Sequence, residues 1–248
     1  KSGDKIMKAP KIIPDELYDR YSMHGKIGMG YNYRNDCSEE IQKEINSKFT
    51  QEEFDKCIKK IEKRKCNYYM DTDYWLYNAL SDYPIEGKHI CIMGSTYPWY
   101  EAMAISFGAE KCTVIEYSDR KSFHPKIEYI KPSEVGEQLY DACFSISSFE
   151  HDGLGRYGDP LNPDGDLEAM RNMKKILKKD ALMYLAVPTG NDCVYFNVHR
   201  VYGKHRFPLL IEGWGQVALY GVIDEIFTNS YNNARESPYQ PVCILRNS

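Results

Sequence analysis

The sequence HICIMGSTYPWYEAMAISFGAEKCTVIEYSD, residues 89–119, has the pattern of a strand, a helix and a second strand. An apolar run ends at Met93, and Pro98 stands where the first turn of a helix accepts a proline. Gly108 ends the helical run, and the second apolar strand leads to Glu116. Two strands joined by a helix rather than by a tight turn indicate a parallel βαβ unit.

The same alternation of strands and helices continues beyond this unit. The sequence predicts strands at 126–130, 141–147 and 182–188, a helix at 166–179, and a last edge or hairpin strand at 241–245. Near-continuous apolar strands are typical of a sheet that is covered on both faces. We therefore predict an α/β fold with a doubly wound, mostly parallel sheet.

The chain is expected to divide into an N-terminal cover, residues 1–84, and a Rossmann-like domain, residues 85–248. Residues 1–37 show little periodicity and are interpreted as an irregular arm that packs over the body or over a substrate. Helical patterns follow at 38–66 and 71–82.

The composition argues against several classes of protein. The net charge of the 248 residues is −4, so the chain has no basic field of the kind that general nucleic-acid binders use, and no nucleic-acid partner is expected. No apolar run approaches the ~20 residues of a transmembrane helix, so no membrane span is expected. The eight cysteines show no spacing typical of a zinc site.

The location of the protein stays open between two compartments. Because the sequence begins at Lys1 rather than at Met, we expect a processed or trimmed N-terminus. The protein is then cytoplasmic, or it lies in the Golgi or secretory lumen if an N-terminal anchor was removed.

The turn at Gly94-Ser95-Thr96 is the predicted cofactor site. Ligands of an open α/β sheet bind beyond the carboxyl ends of its strands, where a glycine lets them approach the backbone. Glu116 ends the next strand 22 residues after Gly94, at the offset expected for a carboxylate that accepts ribose hydroxyls. The alternative is an ordinary βαβ turn with a solvent-facing glutamate.

The residues of this turn favour one nucleoside cofactor over another. A dinucleotide site normally has G-x-G-x-x-G, because its pyrophosphate sits against the start of the helix. Here Gly94 is followed by Ser95, Thr96, Tyr97 and Pro98, which leave little room for a pyrophosphate. S-adenosylmethionine is therefore preferred to NAD. A Rossmann oxidoreductase or epimerase that uses NAD on nucleotide sugars remains an alternative, as does a catalytically silent module that binds a glycan or a partner.

This arrangement resembles the class I S-adenosylmethionine-dependent methyltransferases. The resemblance is carried by the single-glycine turn, by FGAEKCTVIEY at 107–117 and by YDACFSISSFEH at 140–151. It implies a mostly parallel seven-stranded sheet with helices on both faces. It also implies cofactor contacts from Met93, Gly94, Ser95, Thr96, Glu116, Tyr117, Ser147, Ser148 and Phe149.

Three longer segments resemble a narrower family, the domain-of-unknown-function family 268, over roughly residues 85–245. They are SISSFEHDGLGRYGDPLNPDGDLEAM at 145–170, VPTGNDCVYFNVHRVYG at 187–203 and LLIEGW at 209–214. Members of that family are regarded as methyltransferase-like and often accompany enzymes of glycan assembly. The resemblance implies methyl transfer to a hydroxyl of a small-molecule, sugar or glycan acceptor.

Two histidines are candidate general bases for such a transfer. Removal of the proton from an acceptor hydroxyl suits a side chain whose pKa lies near neutrality. His151 follows the strand at 141–147 directly and is preferred, with a packing or hydrogen-bonding role as the alternative. His199 lies in a loop that commonly encloses the acceptor in this fold, and it is the second candidate.

Two loops are predicted to contact the acceptor. Arg156 and Tyr157 lie in a loop rich in glycine, proline and aspartate, and Arg200 and Tyr202 lie in a basic loop after the fifth strand. Arginine binds phosphate or carboxylate groups, and tyrosine packs on the apolar face of a sugar. The alternative for the second loop is a solvated basic turn.

The first of these loops also contains a candidate site for a divalent cation. Asp159, Asp164 and Asp166, together with His151, offer the hard ligands that Mg²⁺ or Ca²⁺ prefers. Asp166 also fits the N-cap of the following helix, and Asp164 with Gly165 fits an ordinary turn.

Overall fold

The fold is taken from a computed structural model, which describes residues 9–67, 69–221, 227 and 239–248. Within these residues, the helices are α1 (Asp15–Tyr21), α2 (Glu39–Asn46), α3 (Gln51–Ile61), α4 (Met70–Asp82), α5 (Trp99–Ser106), α6 (Gly165–Ile176) and α7 (Phe207–Leu210). The strands are β1 (Gly28–Tyr31), β2 (His89–Met93), β3 (Lys111–Ile115), β4 (Ile127–Ile130), β5 (Tyr140–Ile146), β6 (Leu177–Ala186), β7 (Cys193–Phe196), β8 (His199–Val201), β9 (Gly215–Tyr220) and β10 (Val242–Arg246).

Seven strands form the central sheet, in the order β4-β3-β2-β5-β6-β10-β9. The first five are parallel, and β10 runs antiparallel to both β6 and β9. The predicted α/β fold with a mostly parallel seven-stranded sheet is therefore confirmed. The last predicted strand, an edge or hairpin strand, is not at the edge: β10 pairs antiparallel with the preceding described strand β9, for which the sequence analysis predicted no strand and which lies outside it.

Apolar residues alternate between the two faces of the sheet, and helices cover both. On one face, Ile90 and Ile92 of β2 pack in a core that includes α3, α4 and α5. On the other face, Cys91 packs in a second core with Met170 and Met173 of α6. Burial on both faces explains why the parallel strands are apolar without interruption.

A second, three-stranded sheet joins the N-terminal arm to the chain beyond β6. In it, β1 pairs in parallel with β7, and β7 pairs antiparallel with β8. The prediction of an irregular arm over residues 1–37 is therefore wrong for α1 and β1. The sequence GMGY of β1 lacks the apolar alternation typical of a strand. Its Gly30 lies against the Tyr195 ring, where a Cβ would approach to 2.6 Å, so a strand-forming residue with a side chain does not fit there.

The arm packs on the body of the molecule through a small apolar cluster. Tyr21 of α1 contacts Phe196 of β7 edge to face, with ring centroids 5.7 Å apart, and Leu154 is buried in the same cluster. No helix of the described residues is long and apolar enough to cross a membrane.

The topology brings several loops together at one edge of the sheet. After β2 the chain continues to β3 on one side of the sheet, whereas after β5 it continues to β6 on the other side, and β2 and β5 are adjacent strands. Such a reversal in strand order leaves a crevice at the carboxyl ends of the strands. The segments that begin at Gly94, Glu116 and Ser147 follow β2, β3 and β5 directly, so all three meet at this edge.

Candidate functional site

A cavity of about 1230 Å³ opens at this edge, large enough for a nucleoside cofactor and an acceptor together. All of the residues predicted to contact the cofactor line it: Met93, Gly94, Ser95, Thr96, Glu116, Tyr117, Ser147, Ser148 and Phe149. Four predicted acceptor-side residues line it as well: His151, Arg156, Tyr157 and His199.

The turn after β2 requires a glycine for two reasons. Gly94 has φ +66°, a left-handed conformation that is costly for other residues. A Cβ at this position would also lie 3.1 Å from Ser148 Oγ and 4.0 Å from Glu116 Oε2. Gly94 therefore keeps open the space between the ends of β3 and β5, as expected where a ligand approaches the backbone.

Glu116 lies in the wall of the cavity rather than in bulk solvent. Its residue exposure is 8%. Oε2 accepts a hydrogen bond from the N–H of Ser95 at 2.9 Å, and Oε1 accepts one from the N–H of Tyr117 at 2.8 Å. The guanidinium of Arg120, itself buried, approaches Oε2 to 3.5 Å. These contacts hold a buried, charged acceptor beside the glycine turn, where it can accept hydroxyl groups of a ligand.

His151 occupies the far wall, in a short 3₁₀ turn after β5. Its Nδ1 lies 2.6 Å from the carbonyl oxygen of Val198, so Nδ1 carries the proton and Nε2 keeps its lone pair. Nε2 lies 3.6 Å from Glu150 Oε1. Burial, together with the charge of Arg156, lowers the pKa of His151 well below its ordinary value. The imidazole is therefore neutral at neutral pH.

His199 begins β8 and faces the same part of the cavity. Its ring centroid lies 6.5 Å from that of His151. Burial and the nearby charges of Arg156 and Arg34 lower the pKa of His199 to about 4. Two neutral imidazoles thus stand side by side at the end of the cavity away from β3.

Glu150 is a cavity residue that the sequence analysis did not select as a site residue. It is fully buried, and its Oε1 accepts a hydrogen bond from the hydroxyl of Ser147. Its Oε2 has no hydrogen-bond partner among the described residues. Burial raises the pKa of Glu150 to about 7. The one signal in the sequence was an acidic residue placed shortly after an apolar strand.

The prediction that Arg200 and Tyr202 bind the acceptor is wrong. Both side chains are fully buried. Arg200 donates from Nη1 to the carbonyl oxygen of Asp152 at 2.6 Å, and the Tyr202 hydroxyl donates to Asp166 Oδ2 at 2.8 Å. These residues hold the loop after β5 in place. The sequence indicated an acceptor-binding loop or a solvated basic turn here, whereas the structure has a buried ionic network.

The predicted cation site is not formed, because each aspartate has another role. Asp166 accepts two hydrogen bonds from Arg206, at 2.5 and 2.9 Å. Burial would raise the pKa of Asp166, but Arg200 and Arg206 lower it below its ordinary value. A carboxylate that neutralises buried arginines has no charge left for a cation.

The other two aspartates also satisfy groups of the protein. Asp159 accepts hydrogen bonds from the N–H groups of Gly153 and Gly155, at 2.8 and 3.1 Å, and thereby shapes the loop. Asp164 forms a surface ion pair with Arg20 at 2.8 Å. Across the described ranges, no three His, Cys, Asp or Glu side chains converge as a metal site.

The N-terminal arm supplies a part of the cavity that the sequence analysis did not assign residue by residue. Arg34 and Asp36, which follow β1, line the cavity. Asp36 Oδ2 accepts a hydrogen bond from Arg156 Nε at 2.6 Å, and the Arg156 guanidinium lies over the Tyr157 ring, 5.0 Å from its centroid. The arm therefore closes the acceptor side of the cavity.

Comparison with known proteins identifies the family. A family model described as "Caenorhabditis protein of unknown function, DUF268" matches residues 87–238. The chain belongs to the DUF268 family. No curated protein matches this DUF268 chain.

Solved structures similar to the DUF268 chain include several methyltransferases. Burkholderia thailandensis 1,6-didemethyltoxoflavin-N1-methyltransferase, with bound 1,6-didemethyltoxoflavin and S-adenosylhomocysteine, is 12% identical with a TM-score of 0.52, over 97% of this chain and 92% of that one. N-methyltransferase NodS from Bradyrhizobium japonicum WM9 is 14% identical with a TM-score of 0.45, over 70% of this chain and 92% of NodS.

A third similar structure is longer than the DUF268 chain. It is a Streptococcus mutans protein assigned to the S-adenosylmethionine-dependent methyltransferases, 12% identical with a TM-score of 0.46 over 72% of this chain. The chain spans about half (49%) of that protein. At 12% identity, the likeness to the Burkholderia structure shows a shared fold alone, the mostly parallel α/β fold that the sequence predicted.

Proposed function

We propose that the protein is an S-adenosylmethionine-dependent methyltransferase that transfers the methyl group to a hydroxyl of a sugar or glycan acceptor. The observation that carries the proposal is the buried Glu116 carboxylate beside Gly94, at the carboxyl ends of adjacent strands in the large cavity. The chemistry of these residues fits a nucleoside with an amino-acid tail. The Burkholderia protein, which shares the fold, is named as a methyltransferase, and this supports the choice.

The residues around Gly94 fit the cofactor in size and in charge. Gly94 leaves a space that a Cβ would enter, next to Ser148 Oγ. Glu116 would hold the ribose hydroxyls, and Ser95 and Thr96 would lie along the rest of the molecule. When bound, the cofactor supplies an electrophilic methyl group on its sulfonium centre. The residues that follow Gly94 leave little room at this turn for the pyrophosphate of NAD, and this disfavours NAD as the cofactor.

The histidines on the far wall supply the base. An acceptor hydroxyl loses its proton as it attacks the methyl group, and a neutral imidazole can take that proton. In His151 the available nitrogen is Nε2, because Nδ1 donates to Val198. His199 is the second candidate, since its ring lies in the same wall and its lowered pKa keeps the imidazole neutral. Glycan recognition itself is proposed from the family resemblance.

Calorimetric titration with S-adenosylhomocysteine tests the cofactor assignment. Glu116→Gln should weaken binding about 10- to 100-fold, the range expected for hydrogen bonds to a charged group. Asp119→Asn is the matched control, because Asp119 lies three residues further on with an exposed side chain, and its affinity should not change. Binding of NAD without binding of S-adenosylhomocysteine would replace the proposal with the oxidoreductase alternative.

Methyl transfer itself needs a separate measurement. Transfer of a labelled methyl group to sugar acceptors should fall about 10²-fold or more in His151→Ala, while S-adenosylhomocysteine affinity stays within about tenfold. Cofactor binding without any transfer would indicate the silent binding module. An unchanged rate in His151→Ala together with a large loss in His199→Ala would assign the base to His199.

A further inference from the structure

The buried side chain of Asn197 holds the backbone of Arg34 at the cavity through two hydrogen bonds. The Asn197 side chain is fully buried between β7 and β8. Its Oδ1 accepts from the N–H of Arg34 at 2.7 Å, and its Nδ2 donates to the carbonyl oxygen of Arg34 at 2.8 Å. The backbone of Arg34 is thus fixed from both sides. Its own side chain lines the cavity and is 53% exposed.

The positive charge beside Arg34 is only partly neutralised. Asp36 is the carboxylate that both arginines of this wall share. It binds Arg156 Nε closely, at 2.6 Å, whereas Arg34 Nε lies 3.9 Å away. Among the described residues, Asp36 is the only carboxylate in an ion pair with either guanidinium. Burial raises the pKa of Glu150, beside His151, to about 7, so Glu150 offsets only part of the remaining charge. The wall keeps a net positive charge, and the neighbouring imidazoles of His151 and His199 are neutral.

This positive wall lies on the acceptor side of the cavity. Asn197 lies in the turn between β7 and β8, and His199 begins β8; both strands follow β6 in the chain. The cofactor-side residues Gly94 and Glu116 follow β2 and β3, and β5 separates β2 from β6 in the sheet. A group that contacts Arg34 therefore meets the wall formed by the arm and the β7–β8 hairpin, whereas the proposed ribose position lies at the ends of β2 and β3.

We infer that the acceptor carries an anionic group, a carboxylate or a phosphate, and that Arg34 binds this group beside His199. The inference rests on the proposed function for the identity of the ligand as methyl acceptor. A guanidinium binds either anion through paired N–H donors, and its fixed backbone lowers the entropy lost on binding. Arg34 then sets specificity for an anionic acceptor, and the neutral imidazoles of His151 and His199 add no further positive charge beside it.

Binding of three sugar probes to the purified chain tests the inference, with and without S-adenosylhomocysteine at constant ionic strength. The probes are glucuronate, glucose 6-phosphate and glucose. At least one anionic sugar should bind about tenfold or more tightly than glucose. Arg34→Gln should remove about tenfold of that preference, and Arg34→Lys should keep part of it. Whichever anion binds identifies the group as carboxylate or phosphate.

Arg20→Gln is the matched control. Arg20 also belongs to the arm and its side chain is 52% exposed, but its ion pair is with Asp164 at the surface. Its substitution should leave the anion preference unchanged, and circular dichroism should show that all three arginine variants are folded. Because the Arg34 side chain is exposed and its backbone carries the contacts, the fold does not depend on the guanidinium.

Four results would overturn the inference. They are equal binding of glucose and both anions, absence of binding by all three probes, an unchanged preference in Arg34→Gln, and a loss of S-adenosylhomocysteine affinity in that variant. The last would assign Arg34 to the cofactor's carboxylate. Failure of the wild-type chain to bind S-adenosylhomocysteine would instead contradict the proposed function, and the sugar measurements without it would still decide the role of Arg34.

Discussion

Asp166→Asn separates a structural role for the aspartate from the cation-binding role that the sequence suggested. Asp166 lies in the first turn of α6 and is fully buried. It accepts hydrogen bonds from Arg206 at 2.5 and 2.9 Å and from Tyr202 at 2.8 Å, and Arg200 Nε lies 3.7 Å away. Asparagine keeps the size of the side chain and removes the charge, so two buried guanidinium groups lose their nearest counter-ion.

The expected loss of stability follows from that burial. Breaking a buried ion pair by removing one partner costs about 3–5 kcal/mol, because the remaining charge is left uncompensated. For a chain of this size, each 1 kcal/mol lowers Tm by roughly 2–4 °C. Asp166→Asn should therefore lower Tm by roughly 6–20 °C. Asp164→Asn is the control, because its ion pair with Arg20 at 2.8 Å is exposed and its contact with Arg206 is long, at 4.0 Å, so its loss should cost less than about 1 kcal/mol.

Thermal and urea unfolding at neutral pH measure this effect, and a pH series adds a second test. The pKa of Asp166 is lowered in the folded protein, so its contribution is present above the ordinary aspartate pKa and is lost as pH falls through the lower, folded value. The wild type should show this acid-dependent loss and the variant should not. A variant as stable as wild type, but with methyl transfer that no longer responds to Mg²⁺, would refute the structural role.

Three further predictions concern the cavity itself. Glu150 has a pKa raised to about 7, so its folded form retains the proton, and stability should decline as pH rises from the ordinary glutamate pKa to about 7. Between pH 5 and pH 8, the free energy of unfolding measured in urea should fall by about 3 kcal/mol more in the wild type than in Glu150→Gln. An equal fall in both proteins would contradict the burial argument. Gly94→Ala should lower S-adenosylhomocysteine affinity about tenfold or more, whereas Gly87→Ala, at a similar φ of +70° with open space around it, should affect stability alone. Because the pKa of His199 is about 4, an acid limb that reports His199 in the pH–rate profile should lie near pH 4 rather than pH 6.5, and a limb near 6.5 that disappears in His199→Ala would show that the imidazole is more exposed to solvent than described.

The sequence predicted the elements whose signals are local. The βαβ unit from β2 to β3 has apolar strands, a proline at the start of its helix and a glycine at the end, all within one short stretch. Gly94 and Glu116 were placed correctly in the cavity wall because their positions follow from the ends of these strands. The topology of a doubly wound sheet then brings strand ends together without any further information.

The parts that the sequence did not predict depend on partners far along the chain. Arg200 resembles a solvated basic residue until the fold places Asp166 and the carbonyl oxygens of the loop around it. The proposed role of Arg34 depends on Asn197, which holds its backbone at the cavity. Both contacts join segments separated by many residues, and no periodicity or spacing within either segment indicates them.

The short parallel ladder between β1 and β7 has a consequence for how this protein can change. It joins Gly28–Tyr31 to Cys193–Phe196. The proposed cofactor side of the cavity is therefore formed by consecutive βαβ units, whereas two distant stretches of chain complete the proposed acceptor side. Under the proposed function, substitutions in the arm would change which acceptor binds without altering the residues proposed to hold the cofactor. Divergence confined to the segment before α2 would then give new acceptor specificities on an unchanged cofactor site.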